Sequence, residues 1–163
     1  MEDKRQESIE KLNELIKEIQ TAMLTTIDGG VLRSRPMATQ EAKFEGTLFF
    51  LTGAQTHKEE ELKKDNRVNV SYADTSDNAY VSVSGTAETY HDQKKIDELW
   101  NPFYKAWFPD GQTDSNIRVL KVSVEQAEYW DSSSSAIVHL VGFLKALATG
   151  EQYSGGENEK VNL

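Results

Sequence analysis

The sequence predicts a mainly β protein with peripheral helices, built as a small antiparallel barrel of about six strands. Three observations carry that prediction. Several segments alternate apolar and polar residues with period two. The plainest is Tyr80–Tyr90, where Val81, Val83, Gly85 and Ala87 alternate with Ser82, Ser84, Thr86 and Glu88. Asp28-Gly29-Gly30 lies between two strand-like segments and is a hairpin signal. The turns joining the first three strands are too short for the crossovers of a parallel sheet, which argues against a doubly wound fold.

The elements follow in order. Ser8–Ile19 places Ile9, Leu12, Leu15, Ile16 and Ile19 on one stripe, with Glu, Lys and Asn elsewhere, as in a surface helix laid on apolar neighbours. Ala22–Ile27 is the first strand, and Val31–Gln40 returns from the turn with Pro36 marking an edge, bulge or bend. Phe44–Thr47 reads as a turn and Leu48–Thr52 as a short apolar strand. Thr56-His57-Lys58-Glu59 matches a capping box, with Thr56 as N-cap and Glu59 reaching back, so a helix is expected to about Asp65. Val68–Tyr72 is a strand, and the polar turn Asp74–Asn78 leads into Tyr80–Tyr90. Asp92–Ala106 is expected to be helical, with Ile96, Leu99, Trp100 and Phe103 on one face, followed by a tight turn at Phe108–Gly111. Ile117–Val124 is the last long strand and is expected to continue to Trp130. A helix over Ser135–Ala148 follows, and the Gly-, Glu- and Asn-rich end predicts a flexible tail over 151–163 behind a single domain of residues 1–150.

Composition narrows the function classes. The chain has 163 residues, of which 37% are hydrophobic and 28% charged, with a formal net charge of -9. Such acidity argues against nucleic acid, whose phosphates are bound chiefly by Lys and Arg. The absence of cysteine excludes disulfides, thiolate-ligated metals and thiol nucleophiles. The charged N-terminus lacks the apolar run of a secretory signal, and the longest apolar stretch, Ala136–Ala148, is interrupted by His139 and Lys145. No membrane association and a cytoplasmic location are expected.

His57, His91 and His139 show no metal-ligand spacing, so no metal site is expected. Ser132–Ser135 lacks the glycines of a nucleophile elbow, and no catalytic residue is evident. The cations are more informative. Between Arg33 and Arg67 seven basic residues face six acidic ones, a near-neutral window inside an acidic chain. Thr56, His57 and Lys58 sit at a predicted helix N-terminus, where free N–H groups and the dipole favour an anion. Arg33 and Arg35, two apart on a strand, share a face. These groups either converge on a phosphate-sized anion or are solvated surface charges. Tyr129-Trp130 at the end of the last strand either walls a planar cofactor or covers apolar surface.

Five segments in order then resemble a known family: Leu32–Met37, Leu48–Thr52, Thr56–Leu62, Asn66–Tyr72 and Val81–Glu88. They are similar to the pyridoxamine 5'-phosphate oxidase-like family, the FMN-binding split barrels. Trp107–Gly111 and Glu128–Asp131 resemble its general stress protein branch. The resemblance covers about residues 8–148. It implies a six-stranded antiparallel split β-barrel and a homodimer with FMN at the interface. Arg35 matches an arginine near the FMN phosphate and ribityl chain, Lys58 a phosphate-binding lysine, and Thr52 a threonine that meets the flavin. Leu51 stands where oxidases often have Tyr, leaving its backbone to contact the ring, and Tyr80 where a partner-subunit glutamine reaches the cofactor. His57 replaces an arginine and Gln40 a lysine, both departures that lower the charge near the flavin. The resemblance points to FMN, with FAD left open. The C-terminus lacks the basic, aromatic segment that holds a second phosphate in vitamin B6 oxidases, so that activity is not expected. Two functions follow, beside a third reading in which the split barrel binds another cofactor such as deazaflavin or haem. One is a flavoprotein like the general stress proteins, acting as a low-specificity oxidoreductase through the flavin. The alternative is a non-enzymatic flavin carrier or cofactor-binding stress protein.

Overall fold

One antiparallel sheet organises the chain in a computed structural model that describes residues 2–39, 44–54, 56–132, 144–150, 152 and 156–162. Its strands are β1 (Thr21–Asp28), β2 (Val31–Ala38), β3 (Thr47–Gly53), β4 (Arg67–Asp74), β5 (Ala79–Tyr90), β6 (Ile117–Asp131) and β7 (Glu157–Asn162). The helices are α1 (Glu2–Ile16), α2 (His57–Lys64) and α3 (Gln93–Leu99). Hydrogen bonding runs β2-β1-β4-β5-β6-β3, which curls into the six-stranded split barrel, and β7 adds to β6. The β1–β2 hairpin turns on two residues, with Asp28 opposite Val31. Gly29 and Gly30 have φ of 56° and 84°, the left-handed values that such a turn demands.

The alternation along the strands builds the main core. Leu24, Val70, Val81, Val83, Leu120 and Val122 point inward, and Ile9 and Leu12 of α1 close over them. Lys11 on the same helix pairs with the buried Asp131 at 2.5 Å, tying α1 to the end of β6. A second, smaller core lies where Leu51, Ile117 and Val119 meet Ile96, Leu99, Tyr104 and Phe108. The β3–β6 pair is therefore covered on both faces.

Three expectations are corrected or bounded. The helix predicted over Asp92–Ala106 is two pieces. α3 ends at Leu99, and a 3-10 turn restarts at Pro102–Ala106. Pro102 forces the residue before it out of helical geometry; Asn101 is extended, at φ −131° and ψ 139°, and its side chain caps the new turn by accepting from the Phe103 N–H at 3.0 Å. The tail expected to be flexible contains β7, which pairs with Gln126–Asp131 of β6. Val161 is buried opposite Ala127, and the Tyr129 hydroxyl lies 3.1 Å from Glu157 and 3.0 Å from Glu159. The helix expected over Ser135–Ala148 falls largely outside the described residues, of which 144–149 are helical. No described helix is long and apolar enough to cross a membrane.

β6 serves β5 on one edge and β3 then β7 on the other, and its register against β5 changes once. The shift falls at Ser84/Gly85, where Ser84 faces Gln126 and Gly85 faces Val124. A Cβ on residue 85 would overlap the Ser123 carbonyl, with the carbonyl carbon at 2.9 Å, so only glycine permits the approach. Gly85→Ala is expected to cost about 2 kcal/mol or more, since the obstacle is backbone on a paired strand. A lower denaturant midpoint at unchanged slope checks this.

Candidate functional site

α2 starts where the sequence places it, at the N-cap Thr56, with Glu59 and Glu60 in its first turn and Lys63 and Lys64 in its last. That charge order complements the helix dipole. The capping box itself does not form. Thr56 makes no side-chain cap bond; only its carbonyl accepts, from the Glu59 N–H at 3.1 Å. Its hydroxyl oxygen is buried without a hydrogen-bond partner among the described residues.

One turn further on, α2 buries Glu61 at 3% exposure. Strand register explains what it meets. Thr26 on β1 faces Arg33 on β2, and Leu24 faces Arg35, so both arginines share the inward face with the buried Thr26. Arg35 Nη2 donates to Glu61 Oε2 at 2.7 Å and its Nη1 to Thr26 Oγ1 at 2.8 Å. The Thr26 hydroxyl in turn donates a hydrogen bond to Glu61 Oε2. Arg33 Nη1 reaches Glu61 Oε1 at 3.2 Å and Asp28 at 3.0 Å. The two arginines thus converge as the sequence suggests, but on a carboxylate within the chain. The sequence reading misses Glu61, which sits in a Glu-Glu-Glu run that looks solvated; only its place one turn from Lys58 and beside Leu62 hints at a buried face.

The electrostatics follow from these bonds. Burial alone pushes the Glu61 carboxyl up, but the bonds from Thr26 and Arg35 and the charges of Arg35 and Arg33 outweigh it and hold it below the ordinary glutamate value. Lys58 is pulled below the ordinary lysine value, first by burial and then by the charge of Arg35, with Glu61 opposing. Lys58 makes no hydrogen bond or ion pair to another described residue. The orphaned Thr56 hydroxyl and this half-buried ammonium at one helix start, with Arg35 close enough to be felt, fit an anionic group such as a flavin phosphate.

The remaining predicted site residues divide. Thr52 is buried at the end of β3, on the face of Phe50 that lines the main core. Leu51 turns the other way, into the second core, so its side chain is unavailable to a ligand, and it pairs with Val119 of β6. His57 is exposed at the start of α2. Gln40 lies outside the described residues. Tyr80 and Trp130 are directly opposite each other on β5 and β6, at 39% and 40% exposure. They lie on the outer face, opposite to Val81 and Tyr129, whereas Arg35 points to the inward one. Among the described residues no three His, Asp or Glu side chains are grouped to hold a metal.

Comparison with known proteins finds relatives across most of the chain. The profile of a family described as pyridoxamine 5'-phosphate oxidase like matches residues 7–154. Protein bli-3 of Neurospora crassa is 29% identical over 156 residues, covering 89% of this chain and 75% of that protein. A general stress FMN/FAD binding protein of Xanthomonas citri superposes with a TM-score of 0.68 at 28% identity, over 80% of this chain and 92% of that one. A Clostridium acetobutylicum protein related to general stress protein 26 has the same fold, with a TM-score of 0.71 at 19% identity over 96% and 95% of the two chains.

The Glu61 cluster makes stability depend on pH in one direction. Its folded pKa is below the unfolded value of about 4.3, so its contribution is complete above that value and is lost as pH falls through the folded one. Glu61→Ala is expected to cost about 3 kcal/mol at pH 7, because two guanidinium groups lose their anion. Denaturant unfolding between pH 2 and 7 tests both statements: the variant starts lower and loses less on acidification.

Proposed function

The chain belongs to the pyridoxamine 5'-phosphate oxidase-like family, and from that premise we propose that it is an FMN-binding protein of the general stress type that works as a low-specificity oxidoreductase. The observation that carries the reading is the buried, unpartnered Thr56 hydroxyl beside Lys58. It is a pair of donors with no hydrogen-bond or ion-pair partner among the described residues, at a helix end that favours an anion. In this reading Lys58 and Thr56 hold the phosphate, Arg35 supplies charge behind them, and Thr52 and the Leu51 backbone border the ring. Bound FMN supplies the electron-transfer chemistry. The Xanthomonas citri neighbour's description as an FMN/FAD binding protein supports a flavin. A single phosphate suits a cluster of this size better than the diphosphate of FAD. Oxidation of a vitamin B6 phosphate is not part of the reading. That reaction needs a second anion site, whereas Lys160 near the C-terminus lies 3.9 Å from Glu128 and is flanked on β7 by Glu159.

Lys58→Ala is expected to weaken FMN about tenfold or more, the loss of one charge-assisted bond, and to leave riboflavin affinity nearly unchanged. Fluorescence titration with both flavins checks this, and equal losses for the two would remove the phosphate role. Anaerobic bleaching of the bound flavin by NADH or NADPH, with turnover on adding an acceptor, is the expected sign of an enzyme. A flavin that binds but stays oxidised would instead mark a carrier.

We also propose that the functional unit is a homodimer. The outer sheet face supports this. Thr25, Ser34, Asn69, Ser71, Ser82 and Ser84 give its β1, β2, β4 and β5 part small uncharged side chains, knit by bonds such as Thr25–Ser34 at 2.7 Å and Asn69–Ser82 at 2.8 Å, with Tyr80, Trp130 and Glu128 beside them. Such a face in a chain with 28% charged residues suits a flat isologous contact. In a dimer, the partner's copy of Tyr80 is the one free to approach the flavin. Sedimentation should give twice 18.4 kDa at micromolar concentration, and Ser82→Arg at the centre of the face should give the monomer.

A further inference from the structure

We propose that Glu61 is a built-in counter-anion of the phosphate site, competing with a ligand phosphate for Arg33 and Arg35 and so determining how strongly the site prefers a phosphorylated flavin over an unphosphorylated one. The inference rests on the phosphate reading above and concerns what sets its strength.

The geometry carries it. Each carboxylate oxygen of Glu61 takes one arginine, at 3.2 Å from Arg33 and 2.7 Å from Arg35, and the carboxylate is almost fully buried. Arg35 directs both Nη atoms inward, to Glu61 and Thr26, which leaves its Nε edge and the remaining Nη protons for anything bound outside. Arg33 is half exposed and shared with a second carboxylate, Asp28. Three cations, Arg33, Arg35 and Lys58, therefore face two fixed anions, Glu61 and Asp28, leaving one net positive charge against the nearly two negative charges of a phosphate monoester. The carboxylate that favours the charged form of Lys58 must, by the same field, disfavour an anion placed on that lysine. A buried carboxylate of this kind lets two arginines persist at the site with no ligand bound, and it weakens the ligand's hold in return.

Glu61→Gln tests this, because it removes the charge and retains the shape. Titrating FMN and riboflavin into the folded variant should show the ratio of their affinities rising about tenfold over the wild-type chain, through tighter FMN. A residue that only supports the fold would shift both flavins together, and a ratio that stays level or falls in folded Glu61→Gln overturns the proposal. Should that variant not fold, Asp28→Asn removes the exposed anion from the same Arg33 and is expected to raise the ratio about twofold; no rise there overturns the proposal. Inorganic phosphate separates this inference from the flavin reading. If the wild-type chain binds neither flavin, the flavin reading fails, while a larger thermal stabilisation of Glu61→Gln than of wild type by phosphate still supports the counter-anion role. Equal stabilisation overturns it.

Discussion

The carboxylate of Glu61 is the joint on which the site depends. It ties three separate elements, β1 through Thr26, β2 through Arg33 and Arg35, and α2 on which it sits. A buried charge is tolerable only when its lone pairs are filled, and here two guanidinium groups and a hydroxyl fill them. Because they lie on neighbouring strands in fixed register, α2 has one seating that satisfies them all. That seating presents Thr56 and Lys58, one turn upstream, at the end of the barrel beside Arg35. The groups proposed to hold a phosphate are thus placed by a residue that carries the wrong charge to bind one.

The pleat of the strands makes a second division. Residues on the inward face of β1 and β2 build the charged cluster, and the intervening ones belong to the outer face with its hydroxyls and amides. Tyr80 and Trp130 fall in the outer set. Period two keeps adjacent residues on opposite sides, so the homodimer proposed above would be the means of bringing the two sets to one ligand. The cofactor reading and the dimer reading therefore stand on the same geometric fact.

Much of this was legible in the sequence where local chemistry decides. Gly29-Gly30 announces the hairpin, the alternation from Val81 to Ala87 announces an inward face, and the position of Thr56 announces the start of α2. The convergence of Arg33 and Arg35 follows from their spacing alone. What they converge on does not, because Glu61 is indistinguishable from Glu59 and Glu60 until the tertiary structure buries it. The break at Asn101 is written in Pro102, while the apolar stripe of Ile96, Leu99, Trp100 and Phe103 runs across it as if the helix were continuous. β7 was hidden for a different reason. Its one buried residue, Val161, sits in a polar segment with no periodicity, and its place is set by the edge of β6 it completes.

That edge has a consequence for how the chain behaves in a crowd. β6 runs fifteen residues, while β3 covers its outer edge only as far as Ser123. Past that point the strand would offer unpaired amides and carbonyls to any extended segment that came near, the condition under which sheets grow by recruiting foreign strands. β7 takes those bonds for itself and places Glu157, Glu159 and Lys160 along that edge, three charges in six residues. The C-terminal segment that resembles a loose tail is in this respect a guard: chains shortened before residue 157 would keep their barrel but expose an adhesive flank, and clumping would precede any loss of fold.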